Sequence, residues 1–357
     1  MKRFHNLDFL RALAMMMGLV IHAPLIFWLP DFAKVYGIDN IAPAQEWINI
    51  IGRFVSSWRM PLFFLLSGFF AILVIERKGI SHFLRDRFIR VGLTCLVFSS
   101  LYDISDGSFD FTTLHLWFLF ELMIIVLVFS LLYRLKIIKN LISIKVTPKI
   151  FFFLTLWLIS SVPLAFILNN WWHPLALKAS TSYFDLKIGN MLYYFSYFLV
   201  GVILYSNQKI FIKLKNIKTI FLLGNLSLFA FLLRIYSDHL TIGQADSLRN
   251  VAQIQFDPIL VFFNACMIGM NSILLCLLFI GLASKIIQSD SLIIKWFVEL
   301  SYPIYIIHIV PVTMMSAVFY HAGLNQLSIL SLAVITGFIT VSYTHLRAHE
   351  TPEHRVW

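Results

Sequence analysis

The sequence predicts an all-α, polytopic integral membrane protein of about ten transmembrane helices, and three observations support this fold class. Of the 357 residues, 59% are hydrophobic and 13% are charged, whereas soluble domains carry about 25% charged residues. The mean hydropathy is +0.83. The apolar residues form runs of about 20, the length with which a helix crosses a bilayer. Because a lipid-exposed backbone must satisfy its own hydrogen bonds, these runs are predicted to be helices.

Ten apolar runs follow one another along the chain. They lie at roughly 7–29, 53–76, 88–104, 114–134, 150–168, 187–206, 219–237, 256–283, 295–319 and 325–343. They form one predicted transmembrane domain, residues 1–343, since no hydrophilic segment is long enough for a second domain. Residues 344–357 change abruptly in composition, and we expect them to be an atypical, artefactual tail. Two of its histidines, His345 and His349, are spaced like metal ligands, but we expect no metal site.

Basic loops alternate with acidic or neutral loops. The loop after the second run contains Arg77, Lys78, Arg85, Arg87 and Arg90, whereas the loop after the third, YDISDGSFDF, has three aspartates and no cation. The positive-inside rule predicts that both termini are cytoplasmic and that the acidic loops are external. The net charge of +10 therefore reflects membrane topology. We expect the lipid bilayer as a partner and no nucleic acid.

The first run carries three ionisable residues, Asp8, Arg11 and His22. Eleven steps of about 100° bring His22 to within roughly 20° of Arg11 on a helix, and Asp8 lies near the same line. Gly18 on this face lets another helix come close. An ionisable residue deep in the membrane usually faces a bundle interior or a water-filled path. A purely structural hydrogen bond from His22 to a neighbouring helix is an equally good interpretation.

The second and third runs contain further arginines. The spacing of Arg59 favours an anchor for the helix at the membrane interface beside Trp58. The alternative is that Arg59 faces a cavity and holds an anionic group with its fork of donors. Pro61 is expected to tilt the start of this helix. Arg87 and Arg90, three residues apart, favour either lipid head groups or the phosphates of a cytosolic donor.

The fourth and ninth runs carry polar residues at membrane depth. His115 and Trp117 begin the fourth run, and Glu121, deeper in it, is expected to be protonated or paired with a buried cation. Tyr305 and His308 lie three residues apart on one face of the ninth run. His308, near mid-membrane, either has a structural role or lines a site.

These residues together carry a resemblance. Arg11 and His22, with ten residues between them, resemble the basic-residue-and-histidine signature of the membrane acyltransferase 3 family, and the arginines of RFIR (Arg87, Arg90) look like its second signature. Within the family, the blocks SSWRMPLFFLLSGFF, HLWFL and SYPIYIIHIVP are most similar to the branch that succinylates osmoregulated periplasmic glucans. Glu121 is a departure from that branch.

The resemblance implies an acyltransferase of the bacterial inner membrane. It would move an acyl group, succinyl or acetyl, from a cytosolic donor to hydroxyls of a periplasmic or extracellular glucan. Acyl-CoA would be a co-substrate, and no tightly bound cofactor is expected. The alternatives are O-acetylation of another surface polysaccharide, such as O-antigen or exopolysaccharide, and a proton-coupled transporter, which buried histidines would also suit.

The resemblance also implies roles for individual residues. Arg87 and Arg90 would bind the donor, and His22 would be the general base for the sugar hydroxyl or an acyl carrier. Asp8 and Arg11 would orient the donor end of the first helix through an ion pair. His115 is the second candidate for the base. The residues expected to contact substrate are Arg59, Trp117, Tyr305 and His308.

Overall fold

The computed structural model describes residues 4–105, 107, 111–170, 177–242, 257–289 and 291–350. Within these residues every regular element is a helix. The β-type pairing found there is one isolated bridge between Thr112 and Ser182. The all-α class is therefore confirmed.

The helices fall into long segments joined by short ones. In chain order they are α1 His5–His22, α2 Leu25–Trp28, α3 Pro30–Lys34, α4 Glu46–Lys78, α5 Ile80–Arg87, a π-helix Phe88–Leu93, α6 Thr94–Ser105, a 3₁₀ turn Leu114–Leu116, α7 Trp117–Arg134, α8 Lys139–Ile142, α9 Pro148–Asn169, α10 Ile188–Ser206, α11 Lys209–Leu214, α12 Ile217–Ile242, α13 Pro258–Ile286, α14 Leu292–Ile307, α15 Ile309–His321 and α16 Gln326–Glu350.

Seven helices in the described part of the chain are long and apolar enough to cross a membrane. They are α4, α7 with its 3₁₀ turn, α9, α10, α12, α13 and α16, and the bent pair α14–α15 would make an eighth. The predicted span 7–29 corresponds to α1, which ends at His22. The predicted span 88–104 corresponds to the π-helix together with α6. Multi-pass membrane architecture is thus supported, while the count of ten and the cytoplasmic termini stay predictions.

The lipid-facing surface carries large apolar side chains. On α9 and α12 they are more than half exposed: Phe152, Phe153, Trp157, Phe221 and Phe229. Such faces would be costly in water but are at no disadvantage against lipid tails. Helix α16 runs on to Glu350, past the start of the expected tail, and residues 351–357 lie outside the described part.

Helix α4 is the central helix of the bundle, with 83% of its most apolar stretch buried. It begins at Glu46 rather than at the predicted residue 53, so Pro61 lies in its interior and not at its start. The predicted span opened with Arg53, seven residues after the helix begins. That residue is buried, however, because it pairs with Asp238 of α12 at 3.0 Å.

Glycines let α4 and α10 pack backbone to backbone. A Cβ atom at Gly68 would lie 1.9 Å from the carbonyl oxygen of Phe198, and one at Gly201 would lie 1.8 Å from that of Leu65. No side chain fits at those distances, so the pair has the small-residue packing typical of membrane helices. This contact fixes the position of α4 along its axis relative to α10, and with it the position of the polar residues on α4.

The predicted ninth span is bent by 70° between α14 and α15, and His308 lies at the bend. Pro311 explains the position, because its ring clashes with the carbonyl of the residue four positions earlier and it has no N–H to donate. The imidazole Nδ1 of His308 lies 2.9 Å from the carbonyl oxygen of Ile304 and 2.7 Å from that of Tyr305. The bend thus places a histidine in the bundle with one ring nitrogen already engaged.

We expect Gly201→Ala to destabilise the protein by about 1–3 kcal/mol, the usual cost of overpacking a close contact. The measurement is the thermal unfolding of purified protein in detergent, with Gly224→Ala as the control. Gly224 is also helical, but its Cβ would meet nothing within 4 Å. If both variants unfold at the same temperature, the close approach of α4 and α10 is wrong.

Candidate active site

Two cavities follow one another along α1, α4 and α7. The first, here called the histidine cavity, has a volume of about 160 Å³ and is lined by His22, Arg59, Trp117, Tyr194 and Arg234, among others. The second, the arginine cavity, has a volume of about 420 Å³ and is lined by Arg11, Phe63, Arg87, Arg90 and Tyr302, among others. The Arg11 and His22 pair of the first helix therefore contributes one residue to each cavity.

A direct hydrogen bond joins two histidines beside the histidine cavity. His22 Nδ1 lies 2.7 Å from His308 Nε2, and the rings stack with centroids 4.9 Å apart. Carbonyl oxygens only accept hydrogen bonds, so the contacts of His308 Nδ1 assign the ring hydrogen to that nitrogen. In the neutral ring, Nε2 is then the acceptor and His22 Nδ1 the donor. His22 Nε2 is left with a lone pair.

Gly18 makes room for this arrangement. A Cβ atom there would lie 2.7 Å from His308 Nε2 and 3.0 Å from a terminal nitrogen of Arg59. The predicted close approach at Gly18 is confirmed, although side chains rather than a helix backbone fill the space. Both groups are thereby held against α1, within a turn of His22.

His115 and Tyr305 lie next to the histidine pair. The His115 ring centroid is 6.0 Å from that of His22, and its Nε2 donates to the carbonyl oxygen of Ile306 at 3.0 Å. Tyr305 donates from its hydroxyl to the carbonyl oxygen of His115 at 2.6 Å. Tyr305 and His308, expected to contact substrate, are not among the residues that line either cavity. Their contacts with His115 and His22 place them behind the cavity lining.

Arg59 faces the histidine cavity rather than the membrane interface. It is 7% exposed, its neighbour Trp58 is 2% exposed, and its Nε donates to the carbonyl oxygen of Ala14 at 2.9 Å. The interfacial-anchor interpretation is therefore wrong. The guanidinium was hard to place from the sequence because an interfacial and a cavity-facing arginine occupy the same depth.

The arginine cavity collects cations from three elements, α1, α5 and the π-helix. Arg11 pairs with Asp8 at 3.4 Å, as expected, and lies 5.0 Å from the Phe70 ring centroid. Arg90 pairs with Asp86 at 2.8 Å. Burial, with Arg11 next in effect, lowers the pKa of Arg87 to about 10, so its guanidinium stays charged at neutral pH.

The two signature arginines do not share a regular α-helix. Arg87 ends α5, and Arg90 lies in the π-helix that follows. A π-helical turn is wider than an α-helical one and is frequent at functional sites. Both residues nevertheless line the same cavity, as their spacing predicted.

Aromatic contacts lead from the lining of the arginine cavity to the residues around His115. The centroid of Phe63 lies 4.9 Å from that of Phe118, which lies 4.4 Å from that of Tyr305. Phe63 lines the arginine cavity, and Tyr305 supports His115. These rings therefore link the arginine cavity to the side chains that support His115.

Sequence reasoning missed a buried ion network on α12. Asp238 lies 3.0 Å from Arg53 and 3.9 Å from Arg234, and Arg234 donates to the hydroxyl of Ser57 and to the carbonyl oxygen of Arg53. Arg234 and Asp238 are 1% and 0% exposed. The available signal was their spacing of four residues inside an apolar run, which brings opposite charges onto one helical face.

Glu121 is held by neutral hydrogen-bond donors. The buried cation that was one of the two expectations is not its partner among the described residues. Its carboxylate accepts hydrogen bonds of 2.9 Å from the Asn190 amide and one of 2.7 Å from the Ser180 hydroxyl. The backbone around Ser180 pairs with the segment before α7. Glu121 therefore fastens a connecting segment to α7 and lines neither cavity.

Comparison with known proteins gives one extended match and several short ones. The family model described as an acyltransferase domain matches residues 4–346. Glucans biosynthesis protein C of Salmonella typhi is 30% identical over 94 residues, which is 26% of this chain and 23% of that protein. The same protein of Escherichia coli O1:K1 is 28% identical over 95 residues, or 27% and 23%. No solved structure matches the chain.

We expect Asp238→Asn to lower the stability by about 3–5 kcal/mol, because it leaves Arg53 and Arg234 without their buried counter-charge. Thermal unfolding in detergent measures the loss. Asp31→Asn is the control: Lys34 donates a hydrogen bond to Asp31 and lowers its pKa, but both side chains are exposed and the pair is screened by water. Equal unfolding temperatures for the two variants would rule out the buried network.

Proposed function

Because the chain belongs to the acyltransferase 3 family and is therefore a membrane acyltransferase, we propose that it moves an acyl group from cytosolic acyl-CoA to a hydroxyl of a periplasmic or extracellular glucan. The observation that carries the proposal is the His22–His308 hydrogen bond, which assigns a lone pair to His22 Nε2. His22 lines a cavity next to the one that collects arginines. With the predicted orientation, the arginine cavity faces the cytosol.

The arginine cavity suits the donor. Arg11, Arg87 and Arg90 line it together with apolar side chains such as Phe63 and Leu122. Guanidinium groups hold phosphate oxygens through paired hydrogen bonds, and coenzyme A presents phosphates at one end and an apolar, flexible arm at the other. The acyl end of that arm would point along α1 towards His22.

The histidine cavity suits the acceptor. Trp117, Tyr193 and Tyr194 give it aromatic walls, and Ser56 and Ser272 add hydroxyls. Such a mixture of ring faces and a few polar groups is typical of sites for small organic groups. The partial likeness to glucans biosynthesis protein C favours a glucan as the acceptor and the bacterial inner membrane as the location.

The proposed step is direct acyl transfer. The acceptor hydroxyl oxygen attacks the thioester carbonyl carbon while His22 Nε2 takes the hydroxyl proton. The new carbon–oxygen bond forms the ester, the carbon–sulfur bond breaks, and the thiolate takes a proton back from His22. The products are the acylated sugar and free coenzyme A. His308 holds the Nδ1 hydrogen of His22 throughout and is a positioning residue.

We expect His22→Ala to lower the transfer rate by about 10²–10⁴, the usual contribution of a general base. A deletion strain is complemented with the intact gene, with His22→Ala or with His82→Ala, and its periplasmic glucans are analysed by mass spectrometry. His82 is exposed on α5, so its variant should restore the acyl groups.

The mass increment identifies the acyl group. Full acylation of the glucans in the strain that carries His22→Ala would refute the proposed role of His22 as general base. Unchanged glucans in all four strains would refute the glucan as acceptor and direct the search to other surface polysaccharides.

We expect His308→Ala to lower kcat by about tenfold or more, with little change in KM for the donor, since the loss is one of orientation. His308→Gln should recover part of kcat, because its amide oxygen accepts from His22 Nδ1 and its amide nitrogen donates to the carbonyls of the bend. The measurement is steady-state transfer in membrane vesicles. If Gln is no better than Ala, or if only KM changes, His308 does not act by orienting His22.

A further inference from the structure

A third cavity lies at the start of α1, and within the described part of the chain it shares no lining residue with the other two. Here called the lysine cavity, it has a volume of about 530 Å³ and lies between α1, α11 and the end of α13. The proposed reaction does not use it. The polar and charged residues that line it are His5, Asn6, Lys209, Lys215, Ser284 and Gln288, among others.

The lysine cavity lies at the depth of lipid head groups. Helix α1 begins and α13 ends beside it, and membrane-spanning helices end where the apolar core of the bilayer gives way to the head groups. The amide of Asn6 on α1 donates a hydrogen bond of 3.0 Å to the hydroxyl of Ser284 on α13. The ring centroid of Phe69 on α4 lies 5.1 Å from that of Phe4 and 5.9 Å from that of Phe211 on α11. These contacts give the cavity defined walls.

Positive charge is concentrated around this cavity. Lys209 and Lys215 line it, Lys213 and Lys218 are close to them in the chain, and all four are exposed. The described lining residues include no carboxylate, and none of the four lysines pairs with a carboxylate elsewhere in the described ranges. Exposed lysines are solvated by water, so their charge alone does not identify a ligand. The ligand is indicated by the cavity together with its apolar rim.

An apolar surface adjoins the lysine cavity. Ile212 lines the cavity and is 63% exposed. Helix α12 begins two residues after Lys215, and Ile217 and Phe221, four residues apart on one of its faces, are 60% and 73% exposed. Gly224 continues that face, and a Cβ atom there would meet nothing within 4 Å. A cationic pocket next to an exposed apolar face matches a molecule with an anionic head and an apolar chain.

We propose that the lysine cavity binds the phosphate head group of an anionic phospholipid, with an acyl chain lying along the exposed face of α12. Basic pockets between transmembrane helices on the cytoplasmic side bind head groups of this kind, and the predicted orientation places the start of α1 in the cytosol. A free phosphate shares the chemistry of the head group but makes no use of the apolar face, so the face favours the lipid. The proposal does not depend on the identity of the acyl donor or of the acceptor.

A bound lipid would join three elements at one end of the bundle. Its phosphate would lie near Lys209 and Lys215, against the first turn of α1 and the last turn of α13. Helix α1 ends at His22, so the lipid would hold the start of the helix that supplies the proposed base. A ligand that binds only the folded state raises the unfolding temperature, which makes the binding measurable without turnover.

The first measurement compares lipids on the wild-type protein. Full-length protein, freed of lipid in detergent, is heated with phosphatidylglycerol, with phosphatidylcholine of the same chains, or with glycerol phosphate. Both lipids contain a phosphate, but only phosphatidylglycerol has a net negative charge. We expect phosphatidylglycerol to raise the unfolding temperature more than either of the others. Equal protection by phosphatidylcholine overturns the proposal, and so does equal protection by glycerol phosphate, which would identify a site for free phosphate.

The second measurement locates the site. Lys209→Gln/Lys215→Gln should weaken phosphatidylglycerol binding about tenfold or more, since each lysine near an anionic lipid contributes a factor of about five. Native mass spectrometry of a lipid titration measures the affinity. The control is Lys145→Gln/Lys149→Gln, which removes two exposed lysines elsewhere on the same predicted side and should leave the affinity unchanged. Equal losses in the two double variants would show a general effect of net charge and overturn the site.

A third comparison tests the acyl chain. Phe221→Ser should lower the affinity for phosphatidylglycerol about threefold or more, because it removes apolar contact area from α12. Phe152→Ser, the same change at an exposed position on α9, should not. Equal affinities for both variants and the wild type would overturn the placement of the chain on α12.

Donor kinetics separate this site from the arginine cavity. The KM for the acyl donor should be the same in Lys209→Gln/Lys215→Gln as in the wild type. A raised KM would assign the lysine cavity to the donor and overturn the lipid site, while the proposed function would stand. Absence of transfer by the wild type, together with protection by phosphatidylglycerol alone, would refute the proposed function and support the lipid site.

Discussion

The hydrogen bond between His22 and His308 is the constraint on which the rest of the site depends. Inside an apolar bundle, each polar nitrogen needs a partner, so the bend at His308, the end of α1 at His22 and the gap at Gly18 must occur together. The bend supplies two carbonyl oxygens that fix the hydrogen on one ring. With the hydrogen of His308 on Nδ1, the hydrogen of His22 lies on its own Nδ1. A lone pair then remains on His22 Nε2 beside a cavity. The orientation of the proposed base, His22, thus depends on backbone geometry as much as on side chains.

Helix α4 connects this pair to the two cavities. It contributes Arg59 and Ser56 to one cavity and Phe63 and Ser67 to the other, and its contact with α10 holds it at a fixed height. The two cavities share no lining residue, so the bundle holds two separate polar regions. Such a division suits a reaction whose two substrates come from opposite sides of a membrane.

Several features could be predicted from spacing along one helix. The pairing of Asp8 with Arg11, the room at Gly18 and the joint lining of one cavity by Arg87 and Arg90 all follow from which residues share a face. Predictions failed where a neighbouring helix decided the outcome. Arg53 was taken as the start of a span and Arg59 was favoured as an interfacial anchor, and a buried cation was one of two expectations for Glu121. The sequence does not show Asp238, Ala14 or Asn190 beside them.

The sequence by itself determined the class of the molecule, the family signatures and the residues that could carry charge at membrane depth. Composition and helical period depend on neighbours within one segment, and a single chain displays those directly. The tertiary structure decided which of these residues meet: His22 with His308, 286 positions apart, and Arg59 with Arg234 around one cavity. Such contacts depend on how helices pack and where they bend, and the cost of burying an unpaired polar group selects the arrangement.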